Sequence, residues 1–320
     1  MSFMKAFKDD LPSVVGKVFV ITGTTSGVGF EVAKTVASKG GEVVLLNRKS
    51  HRADTALEKL RDLEKDINFV CIDCDLQDFE STRQAAKEIK AKYNKIYCLA
   101  CNAGVFALKD VATKDGYDVQ MQVNYLSHYI LQVELFPLIA AGLKEYGDAR
   151  IVTVTGVRDQ PFQEKYIDKN GGNLGGDENP MGAPMIRGTQ SKLAVSLQMH
   201  GLHTKVQESG KYQGLKIISS IPGMARSNVM DSSMEEMNCL QRCLFKNVFL
   251  PLGSQSAEAG SMGLLIGMMD TTAKSGVVYG PKGMKGKAIE LKANDFETDP
   301  VAIETLFKKS EEATGAKFEF

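Results

Sequence analysis

Val18-Phe19-Val20-Ile21-Thr22 runs without a break into Gly23-Thr24-Thr25-Ser26-Gly27-Val28-Gly29 and on into Phe30-Glu31-Val32-Ala33. A β-branched apolar run, a glycine cluster and an amphipathic continuation read as strand, tight turn and helix. Glycines let the backbone pass close to a pyrophosphate. The helix start offers that anion unpaired N–H groups and the positive end of its dipole. Taken alone the stretch is also compatible with a simple turn, so its weight depends on the rest of the chain.

The alternation continues downstream. Strands are predicted at Val18–Thr22, Glu42–Leu46, Asn68–Ile72, Ile96–Ala100, Arg150–Thr155, Leu215–Ser220 and near Val277–Tyr279. Helices are predicted at Gly27–Ser38, Arg52–Glu64, Asp78–Tyr93, Tyr117–Leu143, Thr189–Gln207 and Ser256–Met269. This is the pattern of an α/β, doubly wound (Rossmann) parallel sheet of about seven strands flanked by helices. Residues 1–320 read as one such domain. A Gly/Pro/Asp/Asn-rich insert at 157–187 and a lid-like segment with apolar clusters at 225–254 are expected over the carboxyl ends of the strands, where such sheets place their ligands.

The T-G-x-x-x-G-x-G form of Thr22–Gly29 resembles the glycine turn of the short-chain dehydrogenase/reductase family, and further matches follow in order over about residues 15–285. The resemblance implies that Gly23, Thr25, Ser26, Gly27, Val28 and Gly29 cradle the cofactor and that Asp75-Leu76 meets its adenine. It makes Asn102-Ala103-Gly104 the turn after the fourth strand, Asn124 the helix-breaking active-site asparagine and Lys192 the family's lysine. Lys192 would also touch the cofactor, and Pro222-Gly223 would form the nicotinamide-side turn, with Ser227 where a threonine is more usual.

The end of the second strand selects the cofactor. An acid there would bind the ribose hydroxyls of NAD and repel the 2′-phosphate of NADP. The chain instead reads Leu46-Asn47-Arg48-Lys49, and Arg48 offers a bidentate fork to a phosphate. NADP(H) is therefore the expected cofactor, against the alternative of a solvated basic turn.

The family's proton donor is a Tyr one helical turn before its Lys, with a Ser after the fifth strand holding the carbonyl. Counting back from Lys192 gives Gly188, and counting along the fifth strand gives Gly156. Both hydroxyls are missing, while Asn124 and Lys192 remain. Tyr212 and Lys216 repeat the spacing, but Gly214 interrupts them and they lead into a strand. Tyr166 and Thr155 are more readily structural than catalytic. Two functions follow: a pseudoenzyme serving as structural subunit or redox-state sensor, or an NADPH-dependent reductase with an unorthodox proton donor. The long segment before the helix of Lys192, Asn173-Leu174-Gly175, Ser275–Pro281 and Ser310–Gly315 resemble the retinol-dehydrogenase and protochlorophyllide-reductase branch, which implies an apolar carbonyl or tetrapyrrole-like substrate.

Composition limits the partners. Lys plus Arg (39) equals Asp plus Glu (39), so no global field draws the chain to nucleic acid. No signal-peptide core and no apolar run of the ~20 residues needed to span a bilayer stands out, which points to the cytoplasm, or to an organelle if the chain is processed. An apolar small molecule or a protein partner is expected at 225–254, with a homo-oligomer or larger assembly left open. The C-x-x-C pairs Cys71/Cys74 and Cys98/Cys101 suggest zinc by spacing. Read as buried strands, however, they send i and i+3 to opposite faces, so no metal is expected.

Overall fold

The computed structural model describes residues 3–108, 111–156, 161–169, 182–226 and 253–320. Ser227, Asn173-Leu174-Gly175 and the apolar clusters at 244–250 lie outside them.

The strands are β1 (Val18–Thr22), β2 (Glu42–Asn47), β3 (Phe69–Asp73), β4 (Cys98–Cys101), β5 (Ala149–Val154), β6 (Leu215–Ser220), β7 (Val278–Gly280) and β8 (Ile289–Leu291). They form one sheet in the order β3-β2-β1-β4-β5-β6-β7-β8. All neighbours are parallel except β7 and β8. The chain reverses direction of travel between β1 and β4, and the crevice beyond their carboxyl ends is where a doubly wound sheet binds its ligand.

Among the described residues the helices of eight residues or more are α1 (Phe3–Asp10), α2 (Gly27–Ser38), α3 (His51–Leu63), α4 (Phe79–Lys92), α5 (Ser127–Tyr146), α6 (Gly182–Ser209), α7 (Met262–Met269) and α8 (Pro300–Thr314). Period-two alternation along the strands divides the core. Val18, Val20, Leu99 and Cys101 face the layer of α4, α5 and α6, while Phe19, Ile21, Cys98 and Ala100 face α2 and α7. Cys98 and Cys101 therefore lie on opposite sides of the sheet.

Several expectations need correction. The sheet has an eighth strand, antiparallel, which returns from the loop after β7. β3 is an edge strand rather than a fully buried one, so Cys71 is exposed while Ile72 is enclosed. α6 begins at Gly182 rather than Thr189. Pro184 is no obstacle there, because a first-turn residue has no intrahelical N–H bond to lose. The stretch before α5 is not regular helix but a short turn, Val119–Met121, followed by a π-helical turn, Gln122–Leu126. Val119–Tyr146 is long and apolar enough to cross a membrane by length and composition, yet most of it is buried against α4 and β5.

Candidate active site

Thr22 closes β1 and organises the crevice. Its hydroxyl oxygen accepts the N–H groups of Asn102 (3.0 Å) and Ala103 (3.0 Å) and lies 2.9 Å from His128 Nε2. His128 Nδ1 faces the Asn124 carbonyl at 3.1 Å, so Nδ1 must donate and Nε2 must accept the Thr22 proton. Only the neutral ring satisfies both contacts, and burial pulls the His128 pKa down to about 4.

The glycine turn packs tightly. Gly23 (φ +71°) has no room for a side chain, since a β-carbon would stand 2.7 Å from Ala103 Cα. At Gly29 it would stand 2.2 Å from the Gly23 carbonyl oxygen and 2.4 Å from Asn102 Nδ2. Asn102 donates to the Thr22 and Gly23 carbonyls at 2.9 and 3.1 Å, locking the turn from β4. Gly27 (φ +60°) opens α2, and Ser26, its N-cap, makes no side-chain cap hydrogen bond. The first N–H groups of α2 therefore keep their capacity for an anion. Thr25 and Val28 complete the loop beside them.

Asn47 is buried and couples β2 to this turn. Its Oδ1 accepts from Thr24 N (2.8 Å) and its Nδ2 donates to Thr24 Oγ1 (2.8 Å). An aspartate could accept the first contact but not donate the second. Arg48 is exposed at the rim. A second guanidinium escaped the sequence reading: Arg52, at the start of α3, donates from Nη2 to Ser26 Oγ at 3.4 Å. Asp75 Oδ1 accepts from Gln77 N (3.0 Å), and Leu76 is buried. These residues fit a phosphorylated dinucleotide: a glycine cradle with no space for β-carbons, an uncapped helix N-terminus and two arginines at the ribose end.

On the other side, Asn124 sits in the π-helical turn, a local form often found at functional sites. Its amide accepts from Val105 N (2.8 Å) and donates to Val105 O (2.8 Å) and Ser191 Oγ (2.8 Å). Lys192 Nζ donates to the Val154 carbonyl at 2.9 Å. Burial lowers its pKa to about 8. A β-carbon on Gly104 would touch Asn124 Oδ1 and Lys192 Nζ, each at 3.1 Å, so the structure brings these three expected residues together.

Gly156 and Gly188 differ in their surroundings. A β-carbon on Gly156 would have the Lys192 side chain as its nearest neighbour, at 3.3 Å from Cγ. On Gly188 it would stand 2.6 Å from two ring atoms of Phe106 and 2.9 Å from Gln120 Oε1. Phe106 is followed by Ala107 at φ +53°, a left-handed conformation that costs a non-glycine residue energy. Nothing in the sequence marked Phe106. Thr155 donates its hydroxyl to the Lys192 carbonyl (2.6 Å), and Tyr212 packs edge-on to Phe136, so both have structural work. Tyr166 lies in a 3-10 turn, Glu164–Ile167. On the nicotinamide side, Gly223 (φ +61°) and Pro222 are held by Gln255, whose Nε2 donates to the Pro222 carbonyl at 2.7 Å.

The family model for short chain dehydrogenases matches residues 17–164. An uncharacterized oxidoreductase of Schizosaccharomyces pombe is 31% identical over 247 residues, covering 76% of this chain and 70% of that relative. The chain belongs to the short-chain dehydrogenase/reductase family. Other curated relatives are covered over less of their length, 56% for one from Colletotrichum higginsianum and 33% for the human WW domain-containing oxidoreductase. Among solved structures, a protein of Mycobacterium paratuberculosis has a TM-score of 0.74 at 23% identity, with 98% of each chain covered. The Pseudomonas aeruginosa RhlG/NADP complex has a TM-score of 0.62 at 18% identity, covering 85% of this chain and 96% of that one. These likenesses show the fold.

Proposed function

We propose that the chain binds NADP(H) and has lost the classical carbonyl chemistry of its family, acting as a structural subunit or a redox-state sensor. The observation that carries this reading is the Phe106 ring standing where a side chain on Gly188 would begin, 2.6 Å from its β-carbon position. A general acid contributes typically about 10²–10⁴-fold, and Gly156 and Gly188 bring no hydroxyl to that place. The RhlG complex, which holds NADP, supports the cofactor assignment together with Arg48, Arg52 and Asn47. The residues that would hold the cofactor are Gly23, Thr25, Ser26, Gly27, Val28 and Gly29 at the pyrophosphate, Arg48 and Arg52 at the 2′-phosphate, and Asp75 and Leu76 at the adenine. Asn102, Ala103, Gly104, Lys192, Pro222 and Gly223 would line the nicotinamide half. When bound, the group supplies a hydride donor or acceptor; the chain contributes position and, among the described residues, the ammonium of Lys192.

A second reading has its own support. Lys192, with its pKa lowered to about 8, can hold or release a proton near neutral pH beside Asn124 and Gly104. That arrangement suits an NADPH-dependent reductase of an apolar carbonyl or tetrapyrrole-like substrate, as in the retinol-dehydrogenase and protochlorophyllide-reductase branch. Titration of NADPH fluorescence distinguishes the two, aided by the absence of Trp. Saturable binding without turnover of apolar aldehydes or ketones supports the first; turnover supports the second. The whole chain is read as one domain, with 157–187 as insert and 225–254 as a lid or partner-binding segment. At the base of the latter, Ala225 pairs with Gln255.

A further inference from the structure

We propose that the loop joining β7 to β8, together with the start of α1, docks on an anionic lipid bilayer. Pro281-Lys282-Gly283-Met284-Lys285-Gly286-Lys287 carries three lysines, and no acidic residue lies between Gly280 and Ile289. Residues 282–287 are all exposed. The next acid, Glu290, is engaged by Lys274 at 3.0 Å. Among these lysines stand large apolar side chains facing water: Met284 is 58% exposed, Ile289 47% and Phe3 44%. Lys287 Nζ lies 4.0 Å from the centre of the Phe3 ring, which joins the loop and α1 into one patch.

The patch is built rather than loose. The Met284 carbonyl accepts from Met224 N at 2.7 Å, and Gly286 N donates to Gln255 Oε1 at 2.9 Å. Both anchors lie beside the Pro222-Gly223 turn. Because β7 is parallel to β6, its following loop lies at the carboxyl end of the sheet, the end that carries the candidate site.

The chemistry favours a bilayer over an acidic protein or nucleic acid. Ammonium groups on flexible stems give strong but undirected attraction to phosphates, without the planar forks that read a specific partner. Protruding Met, Ile and Phe side chains gain by entering the acyl boundary while the lysines stay at the headgroups. Docking in this sense sets the rim of the crevice against lipid, so an apolar ligand can pass between the two without crossing water. The inference is independent of whether the site turns over.

The test is sedimentation of the full chain with vesicles of phosphatidylcholine alone or with about 30 mol% phosphatidylserine, where each lysine near an anionic surface is worth about a fivefold change in partitioning. Binding is expected only with phosphatidylserine. Lys282→Gln and Lys287→Gln together should weaken it about twenty-five-fold, and Met284→Ser should weaken it further. The unmodified chain gives a test that needs no variant: binding should fall steeply between about 0.05 and 0.5 M salt. Equal binding to both vesicles, or insensitivity to salt and to the double lysine change, overturns the proposal. So does a loss by the lysine variant with no effect of Met284→Ser when soluble polyglutamate competes as well as vesicles do, since the patch would then bind polyanions and not lipid.

Discussion

The two halves of the crevice keep their family residues for different physical reasons. On the cofactor side, glycine is imposed by the fold itself: side chains at Gly23 and Gly29 would collide with Ala103, the Gly23 carbonyl and Asn102 whether or not a nucleotide is present. On the catalytic side, a hydroxyl at 156 or 188 would support no strand and fill no structural gap. An intact glycine turn is thus weak testimony for turnover, because packing preserves it. The hydroxyl positions differ from each other: Gly188 is closed by Phe106 at 2.6 Å, whereas at Gly156 the nearest atom, Lys192 Cγ, stands 3.3 Å away, and on the reading proposed here they are where the chemistry went.

The largest effect should come from rebuilding the weaker half. Gly156→Ser needs only a small adjustment of the Lys192 stem, 3.3 Å from the new β-carbon. Gly188→Tyr must displace Phe106, and overpacking of this kind costs about 1–3 kcal/mol. We therefore expect Gly156→Ser with Gly188→Tyr to be destabilised and inactive. Adding Phe106→Ala should raise NADPH-dependent reduction of apolar carbonyls by about 10²–10⁴-fold over the unmodified chain. Steady-state assays and thermal unfolding of both variants check this. Activity of the double variant without the Phe106 change would show that the ring is no obstacle.

His128 joins the two halves, touching Thr22 on one side and Asn124 on the other, and its protonation at Nε2 should break the contact to Thr22 while Nδ1 goes on donating to the Asn124 carbonyl. Its pKa is about 4 in the fold against an ordinary value of 6.5. The unfolded chain therefore binds a proton first as pH falls, and stability present above pH 6.5 is lost down to pH 4. That difference is worth about 3 kcal/mol. Denaturant midpoints measured across this window should fall accordingly, and His128→Gln should flatten the slope. An unchanged slope in the variant would separate the halves energetically.

A smaller effect concerns the cofactor half itself. Loss of either charged contact to the 2′-phosphate should cost about 1.5–3 kcal/mol, or roughly ten- to a hundredfold in NADPH affinity. Arg48→Asp should lose or reverse the preference for NADPH over NADH, and Arg52→Gln should reduce it. Fluorescence titration with both cofactors measures this. Equal affinities in the unmodified chain would remove the NADP(H) assignment and with it the contrast between an intact and an altered half.

Most of the sheet was legible, because β-branched runs that are buried on both faces leave little else they can form. The errors fall where neighbours rather than local sequence decide. β3 reads as buried, yet with a partner on one side only its Cys71 meets solvent. Gly182–Arg187 reads as loop, but Gln120 donates to the Pro184 carbonyl at 2.8 Å and the segment is held as helix. For α8 the signal was present in Asp299-Pro300, an N-cap followed by a residue suited to a first helical turn. Within the site, the residues fixed by backbone geometry were readable. Phe106 and Arg52 were not, since their relevance arises only when distant segments meet.

The smallest expected effect is the most discriminating. The Lys192 ammonium donates to the Val154 carbonyl, and on the proposed reading it has no phenol to assist. Its folded pKa of about 8 lies below the ordinary 10.5, so the unfolded chain binds more protons between those values. Stability should rise with pH from 8 to 10.5, and Lys192→Met should abolish that rise. Activity should respond differently: any trace reduction of an apolar carbonyl by the unmodified chain should change by less than about threefold in Lys192→Met, because the general-acid contribution that a lysine supports is already absent. Measuring both properties on the same variant separates a lysine that is merely desolvated from one that works. If reduction is robust and collapses with the substitution while the stability profile shifts as described, Lys192 is itself moving the proton, and the catalytic half was altered rather than lost.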